Sequence, residues 1–287
     1  NSYFICINSW IKINKYYYDM KKLVALFTLM LMPLLGSAQN LYFEGELVYD
    51  NFENHSKIVL KLSKGMAYNG KRTVRVLMKG SVVHIIDEML HFHTLLIPDE
   101  NKAIIFNDYL KRGQQFPYNE YMKTYLSQYS ISKDKVKGTF TKTGEKEQVL
   151  GHTCDLLKGK VSASSVKTDL EAWVLPDYKI HDSYRCVVYG MDIDGLALKW
   201  AYKTVGKIPL IGEMRSYVQS ELVEINARKV TDAEIKVPEG FTIVESTSPF
   251  KVLGLYKDTK KYMKEHGMYP DDLEKEVTYK TEDEWSF

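Results

Sequence analysis

Cysteine is scarce in this chain: the 287 residues hold three, Cys6, Cys154 and Cys186. None stand in a Cys-x-x-Cys spacing, which argues against redox catalysis. No Gly-x-Ser-x-Gly elbow, glycine-rich phosphate loop or His-Glu-x-x-His pair occurs, so the usual hydrolase, nucleotide and metalloprotease signatures are missing. A nucleophile–histidine–acid set needs no neighbourhood in sequence, so motif search alone does not address it. The carboxylate pairs Asp192/Asp194 and Asp271/Asp272 lie in turn-like and tail-like sequence. No repeat or low-complexity tract is present. No apolar run reaches the ~20 residues that a membrane-spanning helix needs. Nothing calls for a cofactor, and the expectation is a protein that is not an enzyme.

What is present begins with a leader. Met20 is followed by Lys21 and Lys22, a 13-residue apolar run over 23–35, and Gly36-Ser37-Ala38. That order predicts an exported chain cut after Ala38, with residues 1–19 lying upstream of the true start. No cysteine follows the apolar run, so a lipid-anchored start is not expected. Discarding 1–38 removes Lys12, Lys15, Lys21, Lys22 and Asp19, which turns the net charge from +2 to −1. The basic balance thus belongs to discarded sequence, and no positive field remains to argue for nucleic acid. Cys154 and Cys186 survive processing. An exported chain allows them to form a disulfide, which would stabilise by about 3–4 kcal/mol. The alternative is two buried thiols acting as small hydrophobes.

The mature chain reads as mainly β. Strands are expected at 40–49, 57–62, 73–78, 81–87, 90–97 and 102–106. Further strands follow at 136–141, 149–161, 168–175, 185–189, 197–203 and 213–225. Turn residues recur every 8–12 positions among them, as in an antiparallel barrel or sandwich. The run breaks at Pro117. Tyr118, Tyr121, Met122, Tyr125, Leu126 and Tyr129 then fall at helical spacing and predict an amphipathic helix. A second short helix is expected around Leu255, Thr259, Tyr262 and Met263, ended by Gly267 and Pro270. Residues 271–287 carry seven acidic and two basic side chains. They read as a solvated tail, or as one that docks Trp285 and Phe287.

The hairpin over 143–180 carries a resemblance. V-L-G-H-T-C-D-L-L-K, a turn, and D-L-E-A-W-V-L-P-D-Y-K-I resemble an uncharacterised secreted family of the Bacteroidota, itself similar to the periplasmic lipoprotein-carrier (LolA-like) fold. Gly195-Leu196-Ala197-Leu198-Lys199 and Ile235-Lys236-Val237-Pro238-Glu239-Gly240-Phe241 echo two further segments of that family. The resemblance spans about 47–244. It implies a half-open antiparallel β-barrel covered by a few helices, occupying 39–248, with a helix and acidic tail over 249–287. It also implies a periplasmic or secreted protein that binds a lipid, acyl chain or lipoprotein in an apolar cavity. The helix stripe then becomes a lid, and Tyr118, Tyr121, Met122, Tyr125, Leu126, Tyr129 and Trp173 are the candidate ligand-binding residues. Ordinary core packing is the alternative for the same stripe.

Two other readings remain open. The barrel could be filled by its own side chains, in an envelope-structural or interaction protein whose tail engages a partner. His84, His91 and His93 could share one strand face, with His84 opposite His93. No carboxylate stands at a spacing that completes a metal set, so they are expected on a solvent face and no metal is assigned.

Overall fold

A ten-residue rhythm lays down the first half of the sheet. Strands β3 (Val82–Asp87), β4 (Phe92–Ile97), β5 (Lys102–Asn107) and β6 (Arg112–Pro117) are each six residues long, joined by four-residue turns. Each turn closes on a residue with positive φ: His91, Asn101 and Lys111. The structure is a computed structural model. It describes residues 42–63, 67–128, 137–163, 166–186, 195–208, 212–248, 251–270 and 273, with the backbone alone at 62, 124–128, 137–140, 161–163, 185, 186 and 208. The expected leader, Tyr129 and nearly all of the acidic tail lie outside the described residues.

The remaining strands are β1 (Gly45–His55), β2 (Gly70–Lys79), β7 (Lys137–Val149), β8 (His152–Ala163), β9 (Val166–Leu175), β10 (Leu196–Ile208), β11 (Gly212–Ala227) and β12 (Thr242–Glu245). All twelve form one sheet in the order β12-β6-β5-β4-β3-β2-β1-β11-β10-β9-β8-β7. The sheet is not closed: β12 and β7 are its two edges. Nor is it wholly antiparallel, because β12 runs parallel to β6. The mainly β expectation holds, and the all-antiparallel one is corrected by the parallel β12–β6 pair, which makes the sheet mixed. Gly113 makes the β12 pairing possible. A Cβ there would sit 2.5 Å from Ile105 O and 2.9 Å from the Ile243 side chain.

Other expectations change. Residues 57–62 form helix α1 (Lys57–Leu62), not a strand. Ser56 ties the end of β1 to β11, donating its N–H to Arg215 O and accepting from Arg215 N–H at its hydroxyl. The chain then leaves the sheet, and Lys57 and Lys61, four apart, share the exposed side of one helical turn. The strand expected from 149 starts only after a turn at Leu150 and Gly151, both at positive φ. Residues 185 and 186 close a 3-10 turn (Asp182–Cys186) instead of opening a strand.

Helices cover one face of the sheet. Helix α2 (Tyr118–Gln128) lays Tyr118, Tyr121 and Met122 against the main core, which includes Leu47, Tyr49, Val76 and Leu96. Helix α3 (Val252–Glu265) buries Val252, Leu255 and Met263 with Phe92, Ile105 and Phe116. Leu273, at the start of the expected solvated tail, is buried in the same cluster, and its carbonyl accepts from Asn69 N–H at 2.7 Å. None of the described helices is long and apolar enough to cross a membrane.

A strap of residues 228–241 covers the other face on its way from β11 to β12. Arg228 anchors it to Glu46 at 3.0 Å, and Lys79 meets Asp232 at 2.6 Å. Ile235, Val237, Phe241 and Ile243 pack on Leu95, Ile104 and Phe106. Beneath it lies a histidine relay. His84 Nδ1–H donates to Glu234 O at 2.6 Å, His84 Nε2 meets His93 Nδ1 at 3.0 Å, and His93 Nε2 meets Asp108 at 2.9 Å. His84 is therefore buried, not on a solvent face. The register also slips by two from expectation. His84 stands opposite Leu95 and His93 opposite Ile86, because the turn spans four residues and not two. Asp108, which spacing alone did not suggest, supplies the carboxylate. Among the described residues no three such groups are arranged to hold a metal ion.

Burial pushes His84 down to about 4, helped by His93 and Arg75 and opposed by Glu234 O and Asp108. The folded state thus favours neutral His84. That preference is fully in force above the ordinary value of 6.5 and is lost as pH falls towards 4, worth about 3 kcal/mol in all. Amide exchange over 230–243 is expected to accelerate across this window before that of β4 and β5. Equal protection of the strap at pH 7 and pH 4.5 would contradict the assignment.

Candidate functional site

Strand alternation puts Leu47, Tyr49, Asn51, Glu53 and His55 on one face of β1, and all five are buried. The face begins apolar and ends polar. Neighbouring strands change at the same level. Leu222, Tyr49 and Val74 form one cross-strand row; Ser220, Asn51 and Arg72 form the next; Val218 and Glu53 follow, then Ser216 and His55. This is the helix-covered face, since Val74 and Val76 share it with Phe92 and Ile105 through the β2–β5 ladders.

Arg72 is the centre of the polar half. Its guanidinium reaches Glu53 through Nη2 and Asp87 through Nη1, the latter at 2.6 Å. Tyr68 lies under it, with Arg72 Cζ 4.4 Å from the ring centroid, and donates its hydroxyl to Asp87 at 2.7 Å. The other oxygen of Glu53 accepts from His55 Nε2 at 2.8 Å, and His55 Nδ1 meets the Ser216 hydroxyl at 2.7 Å. With Nε2–H donating to Glu53, the ring satisfies both contacts, because the Ser216 hydroxyl can either donate to Nδ1 or accept from it. Asp87 Oδ1 further accepts the N–H groups of Met89 and Leu90, which caps the β3–β4 turn.

The two carboxylates differ. Burial pushes both up. For Glu53 the charge of Arg72 and the hydrogen bond from His55 outweigh it, and the carboxyl is held below its ordinary value. For Asp87 burial wins over Arg72 and the turn amides, aided by the nearby charge of Glu53, and its carboxyl is held above. One guanidinium thus serves two buried carboxylates.

Ser216, His55 and Glu53 stand in the order of a nucleophile, a base and an orienting acid. The surroundings do not extend that likeness. Ser216 lies in mid-strand, paired with His55 on one side and Thr204 on the other, so the local amides are engaged in two ladders. An oxyanion site needs free donors. The relay's evident work is to satisfy Glu53.

Three buried polar atoms have no hydrogen-bond partner among the described residues: Arg72 Nε, Gln114 Oε1 and Trp200 Nε1. All three belong to the helix-covered face. Trp200 stands in register with Ser220, and Gln114 with Ile105. Trp200 stacks on Tyr202, ring centroids 6.1 Å apart.

The residues expected to bind ligand are only partly brought together. Tyr118, Tyr121 and Met122 lie half-buried along α2 on the main core. The side chains of Tyr125 and Leu126, and all of Tyr129, lie outside the described residues. Trp173 belongs to the same core cluster that the stripe packs against, although alternation along β9 turns it from its neighbours. It faces away from Leu170 and Ala172, opposite Leu156 and Lys199, with Lys199 Nζ 4.7 Å from its ring. Cys154 is a free, buried thiol, pushed up to about 11 by burial and by the charges of Glu147 and Asp155. The side chain of Cys186 is outside the described residues. No protein-family model matches the chain, and no curated protein matches it either.

Replacing Glu53 by Gln leaves Arg72 short of a buried partner and is expected to cost about 3–5 kcal/mol. Asp87→Asn should cost less, because that carboxylate is already disfavoured by burial. Since the Glu53 carboxyl is held low, the stability it contributes is present above the ordinary 4.5 and lost as pH falls below it. Urea melts of both variants check the order; a larger loss for Asp87→Asn would contradict it.

Proposed function

We propose that the chain is an exported, periplasmic or secreted, non-catalytic carrier of a lipid, acyl chain or acylated protein. The ligand lies along the helix-covered face with α2 as a movable cover. The observation that carries this reading is the step from apolar to polar along that face, from Leu47 and Tyr49 to Asn51, Glu53 and His55. An amphiphile has the same division. Its chain would gain about 0.8 kcal/mol per buried methylene over the apolar half, and its head would meet donors in the polar half.

Helix α2 supports the role of cover. Its described apolar side chains, Tyr118, Tyr121 and Met122, are half-buried, while the sheet residues of the core they rest on are almost fully buried. Tyrosine and methionine adapt readily to an apolar guest. The LolA-like resemblance of the sequence points the same way, as an analogy of fold.

A second reading has its own support. Tyr184 is fully buried against Tyr49, and both hydroxyls reach Ala197 O. A face plugged in this way suits an envelope or interaction module with a filled core, whose tail, rooted by Leu273, engages a partner.

Native mass spectrometry of protein purified from its own envelope, followed by lipid extraction, separates the two. The carrier reading expects a bound acyl mass in the wild type. It expects a large loss of acyl-probe uptake in Tyr121→Asp/Met122→Asp, with an unchanged melt of the sheet. A clean apo mass with no uptake by wild type would overturn it in favour of the filled module.

A further inference from the structure

The donors left over on the helix-covered face restrict what the polar half can hold. Trp200, Ser220, Asn51 and Arg72 form one row across β10, β11, β1 and β2. At about 4.8 Å between strands, the two ends of the row are about 14 Å apart at the backbone. Both end residues carry long side chains. The middle of the row is closed on itself, since the Ser220 hydroxyl donates to Asn51 Oδ1 at 2.6 Å. Tyr202 stacks on Trp200 at one end of the row, ring centroids 6.1 Å apart, and Tyr68 stacks on Arg72 at the other.

The unpartnered atoms of this row are Trp200 Nε1 and Arg72 Nε. Neither can accept a hydrogen bond. Trp200 is 4 % exposed, so bulk water does not satisfy its N–H. A group that fills the site must therefore bring acceptors. It must also tolerate its surroundings. Arg72 has its other two nitrogens on Glu53 and Asp87, both buried. Arg72 is already shared between two carboxylates, so an incoming anion would compete with them for one guanidinium and meet like charge, which costs several kcal/mol in a buried setting.

We infer that the polar half selects an uncharged carbonyl head, an ester or amide on an acyl chain, with Trp200 Nε1 as the donor to its carbonyl and Arg72 Nε, at the other end of the row, left for a further oxygen of the head, and discriminates against free carboxylates. This deepens the carrier reading and rests on it. The apolar end of the face takes the chain in either case. The row of donors decides which chemical form of the chain is held.

The test compares monopalmitoylglycerol with palmitate on the full chain, by displacement of a fluorescent acyl probe, in wild type and Trp200→Phe. The substitution keeps an aromatic ring and removes only the indole N–H. Wild type should bind the ester at least about tenfold more tightly than the acid, given the cost of a like charge. Trp200→Phe should weaken the ester by about threefold to tenfold, the worth of one neutral hydrogen bond, and leave palmitate unchanged. The Trp200 indole resonance should move downfield with the ester and not with the acid. Equal or tighter binding of palmitate overturns the head-group inference while leaving the carrier reading in place. So does a loss in Trp200→Phe that is the same for both ligands, which would mark the ring as packing only. If neither ligand binds wild type, the carrier reading itself fails.

Discussion

Arg72, held between the buried carboxylates of Glu53 and Asp87, is the constraint on which the rest of this structure depends. One guanidinium on β2 joins β1 to the end of β3, with Tyr68 stacked beneath it. Each carboxylate then needs its own support. Glu53 takes it from His55 and, through that ring, from Ser216 on β11. Asp87 takes it from Tyr68 and from the β3–β4 turn. A buried ion pair seldom adds net stability over well-packed apolar residues, while breaking one is costly. Such a cluster at the end of an otherwise apolar face is therefore more readily understood as a device for specificity than as a source of stability. It makes the face two-sided along its length, which an all-apolar packing would not.

A sheet of this breadth must cover both faces, and the chain does so by different means. Helices α2 and α3 lie on one face, and the strap of residues 228–241 lies on the other. The strap is held by ion pairs at its root and by Phe241 on Phe106, ring centroids 5.2 Å apart, near its end. His84 fixes its middle. The two covers answer to different conditions. The strap responds to proton uptake at a buried imidazole, whereas α2 rests on half-buried tyrosine and methionine contacts that an apolar guest could replace. Loosening of α2 thus need not disturb the strap.

Much of the fold was legible in the sequence because alternation is a direct consequence of a sheet with buried faces. The strands on either side of the turns at 88–91 and 98–101 follow from it, as does the amphipathic stripe of α2. Strand β6 was not legible. Gly113, Gln114 and Gln115 carry no apolar alternation, and its pairing with β12 depends on the close approach that Gly113 allows. Residues 57–62 misled because lysines four apart fit a strand face and a helix face equally. The site was harder to see, for a physical reason. Glu53, Arg72 and Asp87 meet only through the β1–β2–β3 ladders, and each alone resembles a solvated charge. The one available signal was parity: Asn51, Glu53 and His55 stand in phase with Leu47 and Tyr49, which makes them buried if those are. The same rule placed Trp173 opposite Leu170 and Ala172 on β9, yet it is buried in the core cluster on which the helix residues rest.

The most direct test of this account is the orientation of a bound amphiphile, read from nuclear Overhauser contacts between the isotope-labelled protein and a medium-chain monoacylglycerol. The account predicts that the terminal methyl contacts Leu47, Val76 and Leu96, and that the glycerol end contacts Trp200 and Ser220. Contacts in the reverse sense, or contacts confined to the strap side of the sheet, would contradict it.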